Sequence, residues 1–204
     1  MSNQFVHLNV HSEFSLIDGI VRVDELVQSC VNKKMPAVAV TDYCNLFAAV
    51  KFYQKAISAG IKPILGAEIL VANEEVPKQP YHVILLCQNK QGYLNLISLI
   101  SKAYIQGLVD GVPLINREWL SIENEGLIAV LVSRQSDIGQ LLLSDNEAQA
   151  KKQAAFWNKH FQHRLYLEIT HTERLQEEVF IKLIVNFAHE NKIPLVATNA
   201  VRFI

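Results

Sequence analysis

The sequence predicts an α/β protein in which strands and helices alternate along the chain. Short apolar runs alternate with longer segments in which apolar residues recur every three or four positions, and polar residues directly follow several of the apolar runs. Strand–helix–strand units of this kind form parallel sheets with right-handed crossovers. A barrel-like closure of the sheet and an open sheet with helices on both faces both fit this pattern.

The composition limits the classes of protein to which the chain could belong. With 204 residues, half of them apolar, it is long enough for one domain or at most two small ones. Its 19 basic and 20 acidic residues nearly balance, which argues against a surface built to bind duplex DNA. Cys30, Cys44 and Cys87 lie far apart in apolar runs, which favours reduced thiols in a cytoplasmic protein, and the sequence has no apolar stretch long enough for a membrane span.

The sequence of the first half of the chain predicts four strands and three helices. A strand at residues 6–11 places His7, Asn9 and His11 on one side, and the apolar run at 36–41 has the composition of a buried strand. Residues 61–72 and 81–87 are also predicted strands, separated by a loop with two prolines. The predicted helices cover residues 23–34, 46–59 and 92–104. The core-facing residues expected of the second and third are Leu46, Ala49, Val50, Tyr53 and Ile57, then Tyr93, Leu96, Ile97 and Ile100.

The second half continues the alternation after an irregular stretch. Residues 107–125 are expected to be irregular because they contain Gly111 and Pro113. Strands are predicted at 127–133, 165–169 and 195–198, and helices at 138–143, 146–161 and 176–191. The last helix has the clearest amphipathic pattern, and the residues that it is expected to bury are Val179, Phe180, Leu183, Ile184 and Phe187.

Polar and charged side chains, mostly imidazoles and carboxylates, follow the predicted strands. They lie at the edge of the sheet where parallel α/β proteins form their functional sites. This set comprises His11, Glu13, Asp18, Asp42, Glu68, Glu168, His171, Asn199 and Arg202, and His82 begins its strand. Such a set favours one or more divalent metal ions. Each residue alone has a plainer explanation: Asp42 with Asn45 could open the next helix, and His82 could be an ordinary core histidine. The sequence contains neither a G-x-G-x-x-G nor a G-x-x-x-x-G-K-[ST] nucleotide-binding motif.

Six ordered motifs give the sequence a family resemblance. They read H-L-N-V-H-S-E-F-S-L-I-D-G, A-V-T-D-Y-C-N-L, G-I-K-P-I-L-G-A-E, H-V-I-L-L, L-E-I-T-H and V-A-T-N-A-V-R-F. Together they resemble the N-terminal PHP (polymerase and histidinol phosphatase) domain of the bacterial DNA polymerase III alpha subunit. The resemblance implies that residues 1–204 are the PHP domain of a much longer C-family polymerase. It also implies a distorted (β/α)7 TIM-like barrel, incomplete at its C-terminus in this chain, with the polymerase's catalytic carboxylates and their Mg²⁺ beyond Ile204.

The resemblance also implies which residues occupy the metal-ligand positions of the family. His11, Asp18, Glu68, His82 and His171 match ligand positions, whereas the substituted positions are Asn9, Tyr43, Ala200 and Arg202. Asparagine binds zinc poorly, alanine cannot bind it, and arginine is a permanent cation. We therefore expect a degenerate site with no cofactor of its own, or at most one weakly held Zn or Mn ion.

Two functions remain open on this resemblance. The first is a structural module without activity of its own, which supports the polymerase and docks the proofreading exonuclease subunit, while DNA is bound mainly elsewhere in the parent enzyme. In this reading Arg202 replaces metal charge by pairing with Asp18 or Glu68. The alternative is a residual metal-dependent phosphoesterase, a phosphatase or 3′–5′ exonuclease, in which His11, Asp18 and Glu68 hold one metal with an open water position.

Overall fold

One mixed sheet of eight strands runs through the part of the chain that the computed structural model describes, residues 5–204 without 75, 77 and 173–176. The strands are β1 (Ala37–Val40), β2 (Lys62–Val71), β3 (Tyr81–Cys87), β4 (Leu108–Val109), β5 (Val112–Ile115), β6 (Leu127–Leu131), β7 (Leu165–Ile169) and β8 (Leu195–Ala197). Their spatial order is β4-β5-β2-β3-β6-β7-β8, and β1 pairs in parallel with the first half of β2.

Along the chain, helices precede and connect these strands. They are α1 (Val23–Asn32), α2 (Ala49–Ser58), α3 (Lys90–Gln106), α4 (Arg117–Ile122), α5 (Asp137–Leu143), α6 (Glu147–His160) and α7 (Glu177–Asn191), with short 3-10 turns at Glu13–Ser15 and Ser133–Gln135. In the described residues, every helix is too short or too polar to cross a membrane. The mixed α/β architecture is consistent with the expected distorted TIM-like barrel.

The expectation of a parallel sheet is wrong for β3, which pairs antiparallel with both β2 and β6. The physical reason is the connection between β2 and β3, residues 72–80, which is too short for a parallel crossover. Parallel neighbours need a crossover of a dozen or more residues, whereas a short loop returns the chain in the opposite direction. The first residues of β3 therefore lie at the same edge of the sheet as the last residues of β2.

Residues 107–125 are also more regular than expected. They form the β4–β5 hairpin and then α4. At the tip, Asp110 and Gly111 have φ angles of 51° and 81°, and an Asp-Gly pair with two positive φ angles is a preferred two-residue hairpin turn. Gly111 therefore closes a hairpin instead of marking an irregular stretch.

The predicted opening strand is an extended segment that pairs only through isolated bridges. On one side, the amides of Ala39 and Thr41 donate to the carbonyls of His7 and Val10, at 2.9 Å each. On the other side, the amide of His11 donates to the carbonyl of Val201 at 3.0 Å. The acceptors His7 and Val10 are three residues apart, whereas the donors Ala39 and Thr41 are two residues apart. This mismatch prevents a regular ladder of hydrogen bonds. The segment still joins β1 to the residues that follow β8.

Both faces of the central strands are buried. Along β3, Val83 and Leu85 belong to the main core under α3 and α5–α7, whereas Ile84 and Leu86 belong to a separate cluster on the opposite face. The largest fully buried side chain, Trp157 of α6, lies in the main core. Burial on both faces is typical of barrel strands, whose inner face is filled by side chains.

Several residues that were expected to face the core are exposed instead. In α2 the core-facing residues are Ala49, Phe52 and Ala56, and the structure exposes the side chains predicted inward, Val50, Tyr53 and Ile57. The same correction applies to Ile97 in α3 and to Val179 and Leu183 in α7. Each of these helices carries more apolar residues than one buried face holds, and the helical period alone does not decide which stripe packs on the sheet.

The loop after the opening segment folds back tightly. The amide of Glu13 donates to the carbonyl of Val21 at 2.8 Å, and the amide of Ile20 donates to the carbonyl of Arg202 at 3.0 Å. Gly19 lies against the backbone of Ser12, because a Cβ atom added there would be 2.1 Å from the Ser12 carbonyl oxygen. This close approach fixes the loop that carries Asp18.

We expect Gly19→Ala to lower the free energy of unfolding by about 3 kcal/mol, because two backbone segments would have to move apart. Gly111→Ala is the matched control: nothing lies within 4 Å of its added Cβ, so only the left-handed backbone costs about 1 kcal/mol. Chemical denaturation of both variants and the wild type measures the difference. Equal losses in the two variants would contradict the steric account.

Candidate functional site

Charged side chains from distant parts of the chain meet at one edge of the sheet. His11 comes from the opening segment, Asp18 from the loop, Glu68 from β2, His82 from β3 and Arg202 from the residues after β8. His82 reaches this edge although it begins its strand, because β3 runs antiparallel to β2. These five side chains are called the charged cluster below.

His11 lies at the centre of the charged cluster and is fully buried. Its Nδ1 is 2.7 Å from Oδ1 of Asp18, and its Nε2 is 2.9 Å from Oε2 of Glu68. An ionised carboxylate can only accept hydrogen bonds. The His11 ring thus bridges the two carboxylates through both of its nitrogens.

Glu68 is the most buried carboxylate of the charged cluster, and both of its oxygens are used. Oε2 accepts from His11, and Oε1 is 2.6 Å from Nδ1 of His82. Burial alone would raise the pKa of Glu68, but the hydrogen bonds and charges of the two histidines outweigh it and lower the pKa to about 2. Glu68 is thus a carboxylate throughout the physiological pH range.

Arg202 closes the charged cluster from the far end of the chain. Its Nε donates to Oδ2 of Asp18 at 2.8 Å, its Nη1 donates to Oδ1 of Asn9 at 3.0 Å, and its Nη2 lies 3.5 Å from Oε2 of Glu68. Partial burial raises the pKa of Asp18, but hydrogen bonds from His11 and Arg202 more than offset this effect and lower it. One guanidinium therefore contacts both carboxylates.

A second carboxylate layer lies behind the charged cluster. Glu168 at the end of β7 is buried, and its Oε1 accepts from Nδ2 of Asn9 at 3.0 Å and from the hydroxyl of Thr198. Burial raises the pKa of Glu168, and these two hydrogen bonds offset only part of that effect. Asn9 thus connects Arg202 on one side with Glu168 on the other.

Asp42 holds the backbone at the end of the opening segment. Its Oδ1 accepts from the amide of Ser12 at 2.6 Å, and its Oδ2 accepts from the hydroxyl of Ser12 at 2.8 Å. Burial raises the pKa of Asp42, partly offset by these bonds. Asn45 accepts from the amide of Phe47 at 3.0 Å, but α2 begins later, at Ala49, with Ala48 as its N-cap. Neither Asp42 nor Asn45 therefore caps the helix, and Asp42 instead holds the backbone next to His11.

The structure brings most of the sequence-predicted residues together. Tyr43 lies beside the charged cluster, with its ring centroid 6.3 Å from that of His11 and 6.1 Å from that of His82. Ala200 lines a neighbouring cavity of about 250 Å³ together with Asn9, Glu168 and Arg202. His171, in contrast, is exposed after β7, and among the described residues no hydrogen bond or ion pair joins it to the charged cluster.

Sequence reasoning missed three hydroxyl groups of this site. Ser12 binds Asp42, Thr198 binds Glu168, and Ser15 donates from its hydroxyl to Oδ1 of Asp18 at 3.1 Å. All three lie within motifs that the sequence displays, close to a predicted ligand position or strand end. Small hydroxyl residues are common in loops, however, so only the folded geometry singles them out.

The ligand-type side chains of the charged cluster contact one another directly. The nitrogen and oxygen atoms that would have to face a metal ion instead face one another at hydrogen-bond distance, and the Arg202 cation extends among them. Among the described residues, no group of three or more histidine, cysteine, aspartate or glutamate side chains is arranged to hold a metal ion. The arrangement balances charge through direct contacts between acidic and basic side chains.

Comparisons with known proteins agree with this fold. The profile of the PHP domain matches residues 7–172. A DNA polymerase III subunit alpha from Pseudomonas fluorescens is 44% identical over 204 residues, and the one from Escherichia coli (strain K12) is 43% identical over 201 residues. The matches cover 100% and 98% of this chain but only 17% of each relative, so the chain spans about one sixth of the length of these relatives.

Solved structures with the same fold are more distant in sequence. One is a protein from Bifidobacterium adolescentis described as a metal-dependent phosphoesterase, with a TM-score of 0.62 and 12% identity over 98% of this chain and 88% of that chain. Another is an amidohydrolase from Chromobacterium violaceum, with a TM-score of 0.62 and 13% identity over 97% and 87% of the two chains. At these identities the likeness concerns the fold alone.

The contribution of Glu68 to stability is expected to depend on pH. Its pKa falls from 4.5 to about 2 on folding, so the contribution is fully present above about pH 4.5 and is lost as the pH falls toward 2. The difference corresponds to about 3 kcal/mol. We expect Glu68→Gln to be less stable than the wild type at pH 7, and we expect this gap to shrink as the pH falls through that window.

Urea denaturation of the wild type and of Glu68→Gln at a series of pH values measures this gap. Glu125→Gln removes an exposed carboxylate and serves as the control, and it should leave the pH dependence unchanged. A gap between wild type and Glu68→Gln that stays constant from pH 7 down to pH 2.5 would show that the Glu68 charge is not what stabilises the fold.

Proposed function

Because the chain belongs to the PHP domain family, we propose that it forms the N-terminal PHP domain of a DNA polymerase III alpha subunit. In DNA replication it serves there as a structural module whose metal site no longer binds metal. Similarity to curated alpha subunits along the whole chain supports the first part of this proposal. The second part depends on the charged cluster.

The contacts of Arg202 are the observation that carries the proposal. Its guanidinium binds Asp18 and Asn9 and lies near Glu68. By the family resemblance, Asp18 and Glu68 match metal-ligand positions, while Asn9 and Arg202 are substitutions. An arginine that pairs with ligand carboxylates supplies the positive charge that a metal would otherwise supply.

The charges of the cluster support the same conclusion. Asp18 and Glu68 contribute two negative charges, and the Arg202 guanidinium supplies a permanent positive charge next to both of them. A divalent ion about 4 Å from the guanidinium would be repelled by about 4 kcal/mol per unit charge at an effective dielectric constant of about 20. Binding a metal would therefore require Arg202 to leave.

Partners follow from the polymerase context. We propose that this domain packs against the remainder of the alpha subunit and docks the proofreading exonuclease subunit. DNA binding and the Mg²⁺-dependent polymerase reaction belong to other parts of the polypeptide. The near-neutral charge of the chain supports this division, since a surface that binds duplex DNA normally carries a basic excess. The expected location is the cytoplasm.

A residual phosphoesterase is the second candidate. Four ligand-type side chains, His11, Asp18, Glu68 and His82, remain in direct contact, and a structural neighbour is described as a metal-dependent phosphoesterase. If Arg202 swung out, three of them could hold one ion with a position left for water. This candidate requires a rearrangement that the structural proposal does not.

Arg202→Ala distinguishes these two functions. In the wild type we expect substoichiometric Zn and Mn by elemental analysis of protein purified without chelator, and a melting temperature that EDTA does not change. In the variant, two carboxylates lose a cationic partner that is only partly exposed, so we expect a loss of about 1–3 kcal/mol, or roughly 3–10 °C in melting temperature. Added Zn²⁺ should recover part of this loss.

Arg22→Ala is the matched control, because Arg22 is exposed at the start of α1 and its side chain makes no capping hydrogen bond. It should leave the melting temperature unchanged with and without Zn²⁺. Stoichiometric metal in the wild type, together with phosphatase activity that His11→Ala abolishes, would establish the phosphoesterase and overturn the structural module.

Docking of the exonuclease subunit is tested by co-elution. Size-exclusion chromatography of the purified chain, mixed with the proofreading exonuclease subunit, is expected to give one complex peak, because the docking surface is proposed to lie on this domain. Circular dichroism establishes that the chain is folded in the same buffer. Separate elution of a folded chain would place the docking surface elsewhere on the polymerase.

A further inference from the structure

Helix α2 carries two apolar stripes. One, made of Ala49, Phe52 and Ala56, packs on the sheet. The other begins just before the helix and is 50–64% exposed; it consists of Phe47, Val50, Tyr53 and Ile57. Positions three or four residues apart form a continuous face on a helix, so this second stripe has the spacing of a helix-packing surface.

A groove lies next to the exposed stripe. It has a volume of about 650 Å³ between α2 and the start of α3, and its lining includes Val50, Tyr53, Pro63, Leu65, Cys87 and Tyr93. Most of this lining is apolar, and the floor is formed by the first half of β2 and the end of β3.

The topology explains why the outer helical layer has a gap at this place. In an α/β barrel, each pair of successive parallel strands is joined by a helix that covers the sheet. β2 and β3 form an antiparallel pair joined by residues 72–80, and the described residues of this connection contain no helix. The position between α2 and α3 in the outer layer therefore lacks the helix that a regular repeat would supply.

The rim of the groove carries one exposed lysine. Lys90 at the start of α3 lines the groove and is exposed, whereas Lys51 and Lys55 on α2 already pair with Glu13 and Asp24. A helix with an apolar face and an acidic residue beside it would match both the groove and Lys90.

We propose that an amphipathic helix with an acidic residue beside its apolar face, from the part of the polypeptide outside these 204 residues, packs into the groove between α2 and α3. The proposal rests on the proposed function, in which this chain is one domain of an alpha subunit. The relatives support an occupant in the same polypeptide, because the matched region is only 17% of their length. A tethered helix also has a high effective concentration at the groove.

A photo-crosslinker tests the occupant directly. Tyr53 is replaced by p-benzoylphenylalanine in the full-length polypeptide, prepared as an equal mixture of ¹⁴N and ¹⁵N copies. After irradiation and proteolysis, we expect Tyr53 to be linked to a peptide from outside residues 1–204, with both halves carrying the same isotope. The same probe at Ile122, which is 77% exposed on α4, is the control and should give at least fivefold less of this product.

Three outcomes would overturn the proposal. Mixed-isotope products would identify a second copy as the occupant, a link to another protein would identify a separate partner, and the absence of any product above the Ile122 control would mean that the groove is open. The proposed function fails through a different readout, namely stoichiometric metal in the charged cluster or a full-length polypeptide without polymerase activity.

Hydrogen exchange of the full-length polypeptide gives a second measurement. Val50→Asp places a charge on the exposed stripe without touching the core, so it should release the occupant and speed amide exchange in Ala49–Ser58 about tenfold or more. Ile122→Asp, the control, should leave that exchange unchanged. Unchanged exchange in Val50→Asp would also overturn the proposal.

Discussion

The ion pair between Arg202 and Asp18 connects the two ends of the described chain, and the rest of the site depends on it. From Asp18 the contacts continue through His11 to Glu68 and on to His82, so acidic and basic side chains alternate along one connected path. An unpaired buried charge is expensive, and each of the two carboxylates contacts more than one basic side chain. The loss of Arg202 removes a contact from both carboxylates at once.

The sequence predicted the order and type of most elements, because apolar periodicity determines them locally. It did not predict the direction of β3, although the short loop between residues 72 and 80 contains the information. The helix faces were harder to assign. Val50 and Phe52 are both large and apolar, and only contact with the sheet decides that Phe52 is buried while Val50 is exposed.

The charged cluster was largely predictable, because motif positions and strand ends indicated the same residues. The pairing of Arg202 with Asp18 and its approach to Glu68 follow the expectation from charge. His171 does not join the cluster, whereas Glu168, three residues earlier, lies directly behind it. The end of a predicted strand limits the candidate site residues to a few. Side-chain direction alternates along a strand, so the strand register decides which of these residues face the site, and the sequence does not specify that register.

The side-chain amide of Asn9 keeps its hydrogen-bonding role when the pH changes. Its amide presents an acceptor to Arg202 and a donor to Glu168, so one side chain separates a cation from an anion. A neutral imidazole also offers one donor and one acceptor, but it loses the acceptor when it gains a proton. An amide gains no proton near neutrality, so Asn9 offers the same acceptor to Arg202 and the same donor to Glu168 in acidic and alkaline surroundings.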